Sequence, residues 1–172
     1  MKKKLTWLFL VSSIIIILDQ ISKLYIYTHF QLSESTAIIP NFFNLTYVRN
    51  FGAAFGFLAQ TNPGFRDWFF LLMPPVALIT ILIILRGVDS KDNTQILALS
   101  SIFGGAVGNY IDRLRFGYVI DFLDFHYQNK YNYPAFNLAD SAIVLGVTVL
   151  FLLMFFEEKA KKKSSEKVPI NQ

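Results

Sequence analysis

The stretch "LTWLFLVSSIIIILDQISKLYIY", residues 5–27, follows three lysines and decides the class of fold. A helix needs about 20 mostly apolar residues to cross a bilayer, and this stretch supplies them. A cleaved signal peptide would share its basic start. However, no A-x-A-like site follows, and apolar residues continue beyond "LDQISK", so we expect the helix to be retained.

Three further apolar segments, at about 68–85, 95–111 and 141–156, also have the length of membrane spans. The chain is 53% hydrophobic and only 16% charged, whereas soluble domains carry about 25% charged residues. We therefore predict one α-helical membrane-embedded domain over residues 1–172 with four transmembrane helices. Pro74-Pro75 predicts a kink or a late start in the second helix. Residues 157–172 are expected to form a polar, disordered cytoplasmic tail.

The distribution of lysine and arginine predicts the orientation of these helices. Ten of these residues lie on the side of the membrane that would hold both termini and the 86–94 loop. Five lie in the two connections on the other side. By the positive-inside rule, both termini are then cytoplasmic, and residues 28–67 and 113–139 lie outside. The same clustering at helix ends accounts for the net charge of +4 without nucleic acid as a partner.

The first outer connection contains "PNFFNLTYVRNFGAAFGF", residues 40–57, a mixture of aromatic, β-branched and glycine residues. Such a composition predicts short strands joined by tight turns. Aromatic rings also favour the boundary between lipid and water. We expect a small extended or β platform on the outer face of the membrane.

Several classes of site are excluded or unsupported by composition. The chain has no cysteine, which excludes disulfides, thiolate nucleophiles and cysteine-bound metals. His29 and His126 are far apart and fit no metal-ligand spacing. The sequence leaves a metal site made only of carboxylates open but gives no signal for one, so we expect no metal and no cofactor.

Charged residues within or beside the apolar segments need an explanation, because they are costly next to lipid. Asp19 precedes Lys23 by four residues, so the two are predicted to pair along one helix face. Asp112 and Arg113 are adjacent and need not face each other. Arg113 therefore either holds a carboxylate elsewhere or extends toward the interface, and the sequence leaves both readings open.

Two aspartates are candidates for acid–base chemistry. Asn137 and Asp140 have the spacing of a capping box, and a helix N-terminus favours an ionised carboxylate. Asp121 lies among large apolar residues in "VIDFLDF", residues 119–125, where burial would raise its pKa. Such a pair can activate water for peptide hydrolysis and titrates as a unit. Asp124 has a similar setting, and this chemistry alone does not choose between it and Asp121.

Other functions compete with this hypothesis. A serine nucleophile is conceivable, but Ser22-Lys23 and Ser141 lack a convincing base. A proton-coupled transporter would also place acids beside membrane helices, although it predicts acids distributed across the bilayer depth. A non-catalytic scaffold would leave Asp121 and Asp140 unexplained.

Four stretches, taken together and in order, resemble the bacterial lipoprotein signal peptidases, also called signal peptidase II. They are "LDQISK" (18–23), "VRNFGAAFGF" (48–57), "GGAVGNYIDRLRFGYVIDF" (104–122) and "PAFNLADSAI" (134–143). The resemblance implies an aspartic endopeptidase of the bacterial cytoplasmic (inner) membrane that cuts diacylglyceryl-modified prolipoproteins before the lipidated cysteine. It further implies binding of membrane lipid and of globomycin-type inhibitors.

The same resemblance assigns residues to roles. Asp121 and Asp140 match the catalytic aspartates, which leaves Asp124 outside the catalytic pair. The substrate-binding positions of the family fall on Asn50, Asn109, Arg113 and Asn137. Asp112, Asp19 and Lys23 match supporting positions. The small residues of "GAAFG", residues 52–56, are expected to allow lipid or backbone to approach closely.

Overall fold

A computed structural model describes residues 1–52, 61–128 and 130–165, and within these residues the chain forms four helices and one small sheet. The helices are α1 (Lys2–His29), α2 (Pro63–Gly87), α3 (Asn93–Phe116) and α4 (Leu138–Ser165). The strands are β1 (Ser35–Ile39), β2 (Phe43–Asn50), β3 (Val119–Tyr127) and β4 (Tyr131–Asn132). The predicted class, a helical membrane protein with a small β platform, is confirmed.

Three of the helices are long and apolar enough to cross a membrane within Lys2–His29, Gly64–Gly87 and Leu138–Lys159. The helix α3 is more polar, since it contains glycines, serines, Asn109 and Asp112. It packs against each of the other three helices, so its side chains meet protein more than lipid. A central helix can therefore be polar where its neighbours cannot.

Glycines allow α3 to lie very close to its neighbours. A Cβ atom added to Gly104 would lie 2.8 Å from the Cα of Ser12, and one added to Gly108 would lie 2.7 Å from Oδ2 of Asp19. On α4, a Cβ atom at Gly146 would lie 2.6 Å from the carbonyl oxygen of Ala98. Small residues at membrane helix contacts permit this close approach of backbones.

Two expectations about helix ends are corrected. The helix α2 does not start late: it begins at Pro63, capped by Asn62, and continues through Pro74 and Pro75. The other expectation for these prolines, a kink, stays a prediction. Proline at the first helical position costs no backbone hydrogen bond, which favours the early start. The helix α4 continues to Ser165, so residues 157–165 are helical rather than disordered. Alanine, glutamate and lysine, which favour helix, are frequent in this segment.

The sheet has the strand order β1-β2-β3-β4, and all neighbouring strands are antiparallel. A cluster of Ile26, Tyr47, Tyr118, Ile120 and Phe122 packs the end of α1 against the sheet. This contact fixes β3 above the helices and thereby positions Asp121. The small-residue prediction for "GAAFG" falls mostly on residues 53–56, which lie outside the described residues.

Candidate active site

A capping box at the start of α4 positions Asp140. The backbone N–H of Asp140 donates to Oδ1 of Asn137 at 2.9 Å, and the N–H of Asn137 donates to Oδ2 of Asp140 at 3.3 Å. The reciprocal pair satisfies two backbone donors that a helix N-terminus would leave open. The capping box predicted from the sequence is confirmed, and it holds Asp140 in the first turn of the helix.

Two asparagine amides connect Asp140 to Asp121. Nδ2 of Asn109 donates to Oδ1 of Asp140 at 2.7 Å, and Nδ2 of Asn137 donates to Oδ1 of Asp121 at 2.7 Å. Nδ2 of Asn137 also donates to Oδ1 of Asn109 at 3.1 Å. The two carboxylates, which come from a strand and a helix, are therefore held in one hydrogen-bonded cluster.

The second oxygen of Asp121 is held from β2. Nδ2 of Asn50 donates to Oδ2 of Asp121 at 2.9 Å, while Oδ1 of Asn50 accepts from the N–H of Gly52 at 2.9 Å. In the sheet register, Asn50 is opposite Val119 and Val48 is opposite Asp121. Asn50 and Asp121 are therefore diagonal neighbours across the two strands, a separation that side chains can bridge.

The surroundings of Asp121 favour its protonated form. Burial raises the pKa of Asp121 to about 7, and the negative charge of Asp140 adds to this effect, while the hydrogen bonds from Asn50 and Asn137 oppose it. The side chain is 1% exposed, so water solvates its charge poorly. Asp121 can therefore hold or release a proton near neutral pH.

Both carboxylates line one large cavity of about 1160 Å³. Its wall is mostly apolar and comes from the sheet, the segment before α4, and α4 itself through Ile143, Val144 and Leu145. A mostly apolar pocket with a few convergent polar groups is the usual form of a ligand site. The cavity extends from Asp121 and Asp140, together called the dyad, along a helix that is apolar enough to face lipid.

Arg113 binds backbone rather than a carboxylate. Its guanidinium donates to the carbonyl oxygen of Gly52 at 3.2 Å and more weakly to that of Asn109 at 3.4 Å. The guanidinium also lies over the ring of Phe70, 5.0 Å from its centroid. It acts on Asp140 and Asp121 through its charge. Arg113 also lines the cavity, so it does not simply extend toward the membrane interface.

A buried ion cluster lies beneath the dyad. Nζ of Lys23 is 2.8 Å from Oδ2 of Asp19 and 3.0 Å from Oδ2 of Asp112, which confirms the predicted pair on α1. Asp19 accepts from the N–H of Ala139 at 3.0 Å, and Asp112 accepts from the N–H of Ile120 at 3.1 Å. The cluster thus connects α1 and α3 to the segments that carry Asp121 and Asp140.

Sequence reasoning missed Gln20, which belongs to this cluster. Nε2 of Gln20 donates to Oδ1 of Asp112 at 2.9 Å and to the carbonyl oxygen of Gly108 at 3.1 Å. Its position in the sequence could have revealed it, because Gln20 is a polar amide next to Asp19 within an apolar span. A polar side chain there needs a hydrogen-bond partner inside the protein.

Asn137 differs from the other expected substrate-binding residues in its burial. It is 0% exposed, and its amide hydrogens go to acceptors within the protein. This geometry favours an orienting role, while direct contact with a substrate stays a prediction. Asn50, Asn109 and Arg113 do line the cavity.

Asp124 is held apart from the dyad. It is three residues from Asp121 on β3, and side chains of a strand alternate between its two faces. Nδ2 of Asn44 donates to Asp124 at 3.3 Å, and Nδ1 of His126 lies 4.0 Å from it. The structure therefore distinguishes two aspartates that sequence chemistry left equivalent.

The serine and metal alternatives find no support in the described part of the chain. The hydroxyl of Ser22 donates to the carbonyl oxygen of Asp19 at 2.8 Å, and that of Ser141 donates to Asn137 at 2.9 Å, so each is engaged with its own helix. No group of three or more histidine, aspartate or glutamate side chains among the described residues could hold a metal ion.

Comparison with known proteins gives a consistent result. The sequence model of the family described as "Signal peptidase (SPase) II" matches residues 11–156. A protein named lipoprotein signal peptidase from Syntrophus aciditrophicus is 45% identical over 164 residues, which cover 95% of this chain and 100% of that protein. One of the same name from Desulforapulum autotrophicum is 44% identical over 156 residues, covering 91% of this chain and 96% of that protein.

Solved structures agree with the sequence relatives. A bacterial membrane enzyme determined by the in meso method at 2.3 Å resolution superposes with a TM-score of 0.75 and 31% identity, covering 96% of this chain and 93% of that one. A second, at 1.9 Å resolution, has a TM-score of 0.70 and 34% identity over 86% of this chain and 91% of that one.

Proposed function

This chain belongs to the signal peptidase II family, whose members remove signal peptides from prolipoproteins, and we propose that it does so as an aspartic endopeptidase. The observation that carries the proposal is the placement of Asp121 and Asp140 on the wall of one apolar cavity. Side-chain and backbone amides donate to all four oxygens of the two carboxylates, and each oxygen keeps a second lone pair for water or substrate.

In the proposed reaction, the dyad shares one proton and activates a water molecule. One carboxylate takes a proton from the water while the oxygen of that water attacks the scissile carbonyl carbon. The other carboxyl donates its proton to the carbonyl oxygen. When the tetrahedral intermediate collapses, the carbon–nitrogen bond breaks and the leaving amine takes the proton held by the first carboxylate. The second carboxyl recovers its proton from the intermediate, which restores the shared-proton state.

The shape of the cavity supports a lipid-modified substrate. Its apolar wall continues along α4 through Val144 and Leu145, where a membrane helix would meet acyl chains. We propose that the diacylglyceryl group stays in lipid while the bond before the modified cysteine reaches Asp121 and Asp140. Cyclic peptide inhibitors of the globomycin type would occupy the same cavity.

The cellular setting is part of the proposal. Residues 1–172 form one membrane-embedded peptidase domain, with both termini in the cytoplasm and the dyad at the outer face of the inner membrane. The excess of lysine and arginine at the opposite end of the helices supports this orientation.

Cleavage by purified protein in detergent tests the function. A synthetic prolipoprotein peptide with a diacylglyceryl cysteine should be cut just before that cysteine, and mass spectrometry of the products locates the bond. The same peptide without the lipid serves as the control and should be cut much more slowly. Equal cleavage of both peptides, or a cut at another bond, would contradict the proposed substrate.

A further inference from the structure

The hydrogen-bond partners of Lys23 set the orientation of the Asn109 amide. An ammonium group only donates, and Nζ of Lys23 reaches Oδ2 of Asp19, Oδ2 of Asp112 and Oδ1 of Asn109, the last at 2.9 Å. These three acceptors use all three protons of a side chain that is 2% exposed. The atom of Asn109 that faces Lys23 is therefore the oxygen, and its NH₂ group faces the other way.

The NH₂ group of Asn109 then constrains Asp140. Nδ2 of Asn109 lies 2.7 Å from Oδ1 of Asp140, and a donor at this distance requires an acceptor. The other oxygen of Asp140 accepts from the backbone N–H of Asn137. Both oxygens of Asp140 thus receive hydrogen bonds that favour the ionised carboxylate, in the first turn of a helix where negative charge is also favoured.

Asp121 has a different environment. Its two donors are neutral amides of Asn50 and Asn137, neither of which contacts Lys23, and burial disfavours its charge. The charge of Lys23 also opposes the rise in the pKa of Asp121. Its hydrogen-bonded chain through the Asn109 amide, however, ends on Asp140, because Asn137 meets that amide only as a second donor to Oδ1 of Asn109. An amide whose oxygen accepts a hydrogen bond from a cation is polarised, and its NH₂ group becomes a stronger donor.

We propose that Lys23 and Asn109 form a positioning relay that holds Asp140 as the ionised, proton-accepting member of the dyad and leaves the shared proton on Asp121. The proposal rests on the proposed function and assigns the two roles that the dyad divides. Lys23 is then more than part of a structural ion pair, since its charge acts on the reaction through Asn109.

Charges besides that of Lys23 also surround Asp140, and each test variant changes only the charges at its substituted positions. The groups that surround it are Lys23 and Asp19 on α1, Asp112 and Arg113 on α3, and Asp121 on β3, with Arg49 on β2 and Arg66 on α2 in the same cavity wall. The tests below leave Arg113, Asp112 and Asp121 intact.

The first test is the pH dependence of kcat/KM for Asn109→Asp with the lipidated peptide. An aspartate at position 109 still accepts from Lys23 but offers Asp140 a carboxylate in place of a donor. We expect the acid limb of the profile to move to higher pH by about one unit or more, because ionisation of Asp140 becomes less favourable. At the acid end of the profile, this shift corresponds to a loss of about tenfold or more in rate.

Asn44→Asp is the matched control. Asn44 also donates to an aspartate, Asp124, which lies outside the dyad. The same substitution there should leave the acid limb in place. A change in both variants would show a general effect of added negative charge and would overturn the relay.

The second variant removes the origin of the relay without adding charge. Lys23→Met together with Asp19→Asn leaves the buried cluster with the same net charge as before, since Asp112 stays. The acid limb should again move to higher pH, in the same direction as in Asn109→Asp. This variant decides the question if Asn109→Asp does not accumulate in the membrane.

The outcomes separate the relay from the proposed function. Cleavage by the wild type, with an unchanged acid limb in a variant that inserts and melts like the wild type, would overturn the relay alone. A raised KM with an unchanged limb would do the same, because it would assign Asn109 to substrate contact. Failure of the wild type to cleave would remove the proposed function and the relay with it.

Discussion

The oxygens of Asp121 and Asp140 are the atoms on which the proposed hydrolysis depends. Asp→Asn keeps the shape of the side chain but can neither take a proton from water nor share one. Each single variant should lose about 10²–10⁴-fold in cleavage rate. The double variant should be hardly slower than either single one, since members of a catalytic unit are strongly non-additive.

Asp124→Asn is the control for this experiment, because Asp124 is hydrogen-bonded to Asn44 on another face of the strand. It should retain substantial activity in the same peptide assay, with all variants compared at equal amounts of membrane-inserted protein. An inactive Asp124→Asn alongside an active Asp121→Asn would show that Asp124, and not Asp121, is the catalytic aspartate.

Asp121 also affects stability as a function of pH. Its pKa is about 7 in the folded protein, against the ordinary value of 3.8 for an aspartate in the unfolded chain, so the folded state binds the proton more tightly than the unfolded state. The stability contributed by that proton is complete below pH 3.8 and is lost as pH rises to about 7. Asp121→Asn should therefore flatten the fall in Tm over this range. A slope identical to that of the wild type, measured by thermal unfolding in detergent, would contradict this.

Helix packing makes its own prediction at Gly146. An added Cβ atom there would lie 2.6 Å from the carbonyl oxygen of Ala98 and 2.6 Å from Cγ1 of Ile102. The helices α3 and α4 would have to separate, and overpacking of this kind costs about 1–3 kcal/mol. Gly146→Ala should lower Tm and reduce the amount of inserted protein.

Gly87→Ala provides the comparison, since nothing lies within 4 Å of a Cβ atom at the end of α2. A surface change of this kind is typically worth no more than about 0.5 kcal/mol. If both substitutions changed Tm equally, the effect would come from glycine itself and not from the contact between α3 and α4.

The orientation of the whole molecule is testable by reporter fusions. Nζ of Lys4 donates to the carbonyl oxygens of Arg86 and Val88 at 2.8 Å each, which places the N-terminus and the end of α2 at the same end of the bundle. A reporter after Lys163 should behave as cytoplasmic, and one near Asn62 as external. The reverse pattern would place Asp121 and Asp140 on the cytoplasmic side and contradict the proposed site of cleavage.

Local features of this protein were determined by the sequence alone. Apolar segments of sufficient length predicted the helices, and the spacing of Asn137 and Asp140 predicted the capping box. The spacing of Asp19 and Lys23 likewise predicted their ion pair. Each of these depends on residues within one helical turn or one segment, so the geometry of a single element is sufficient.

Residue chemistry left Asp121 and Asp124 equivalent and only the resemblance chose between them, whereas the tertiary structure gave the geometric reason. Only the tertiary structure joined Lys23 to Asn109. Lys23 and Asn109 are 86 positions apart, and Asn109 and Asp140 are 31 apart. These contacts exist because glycines let α3 lie against both α1 and α4. Interactions between distant segments depend on how helices pack and on strand register, and neither follows from the local order of residues.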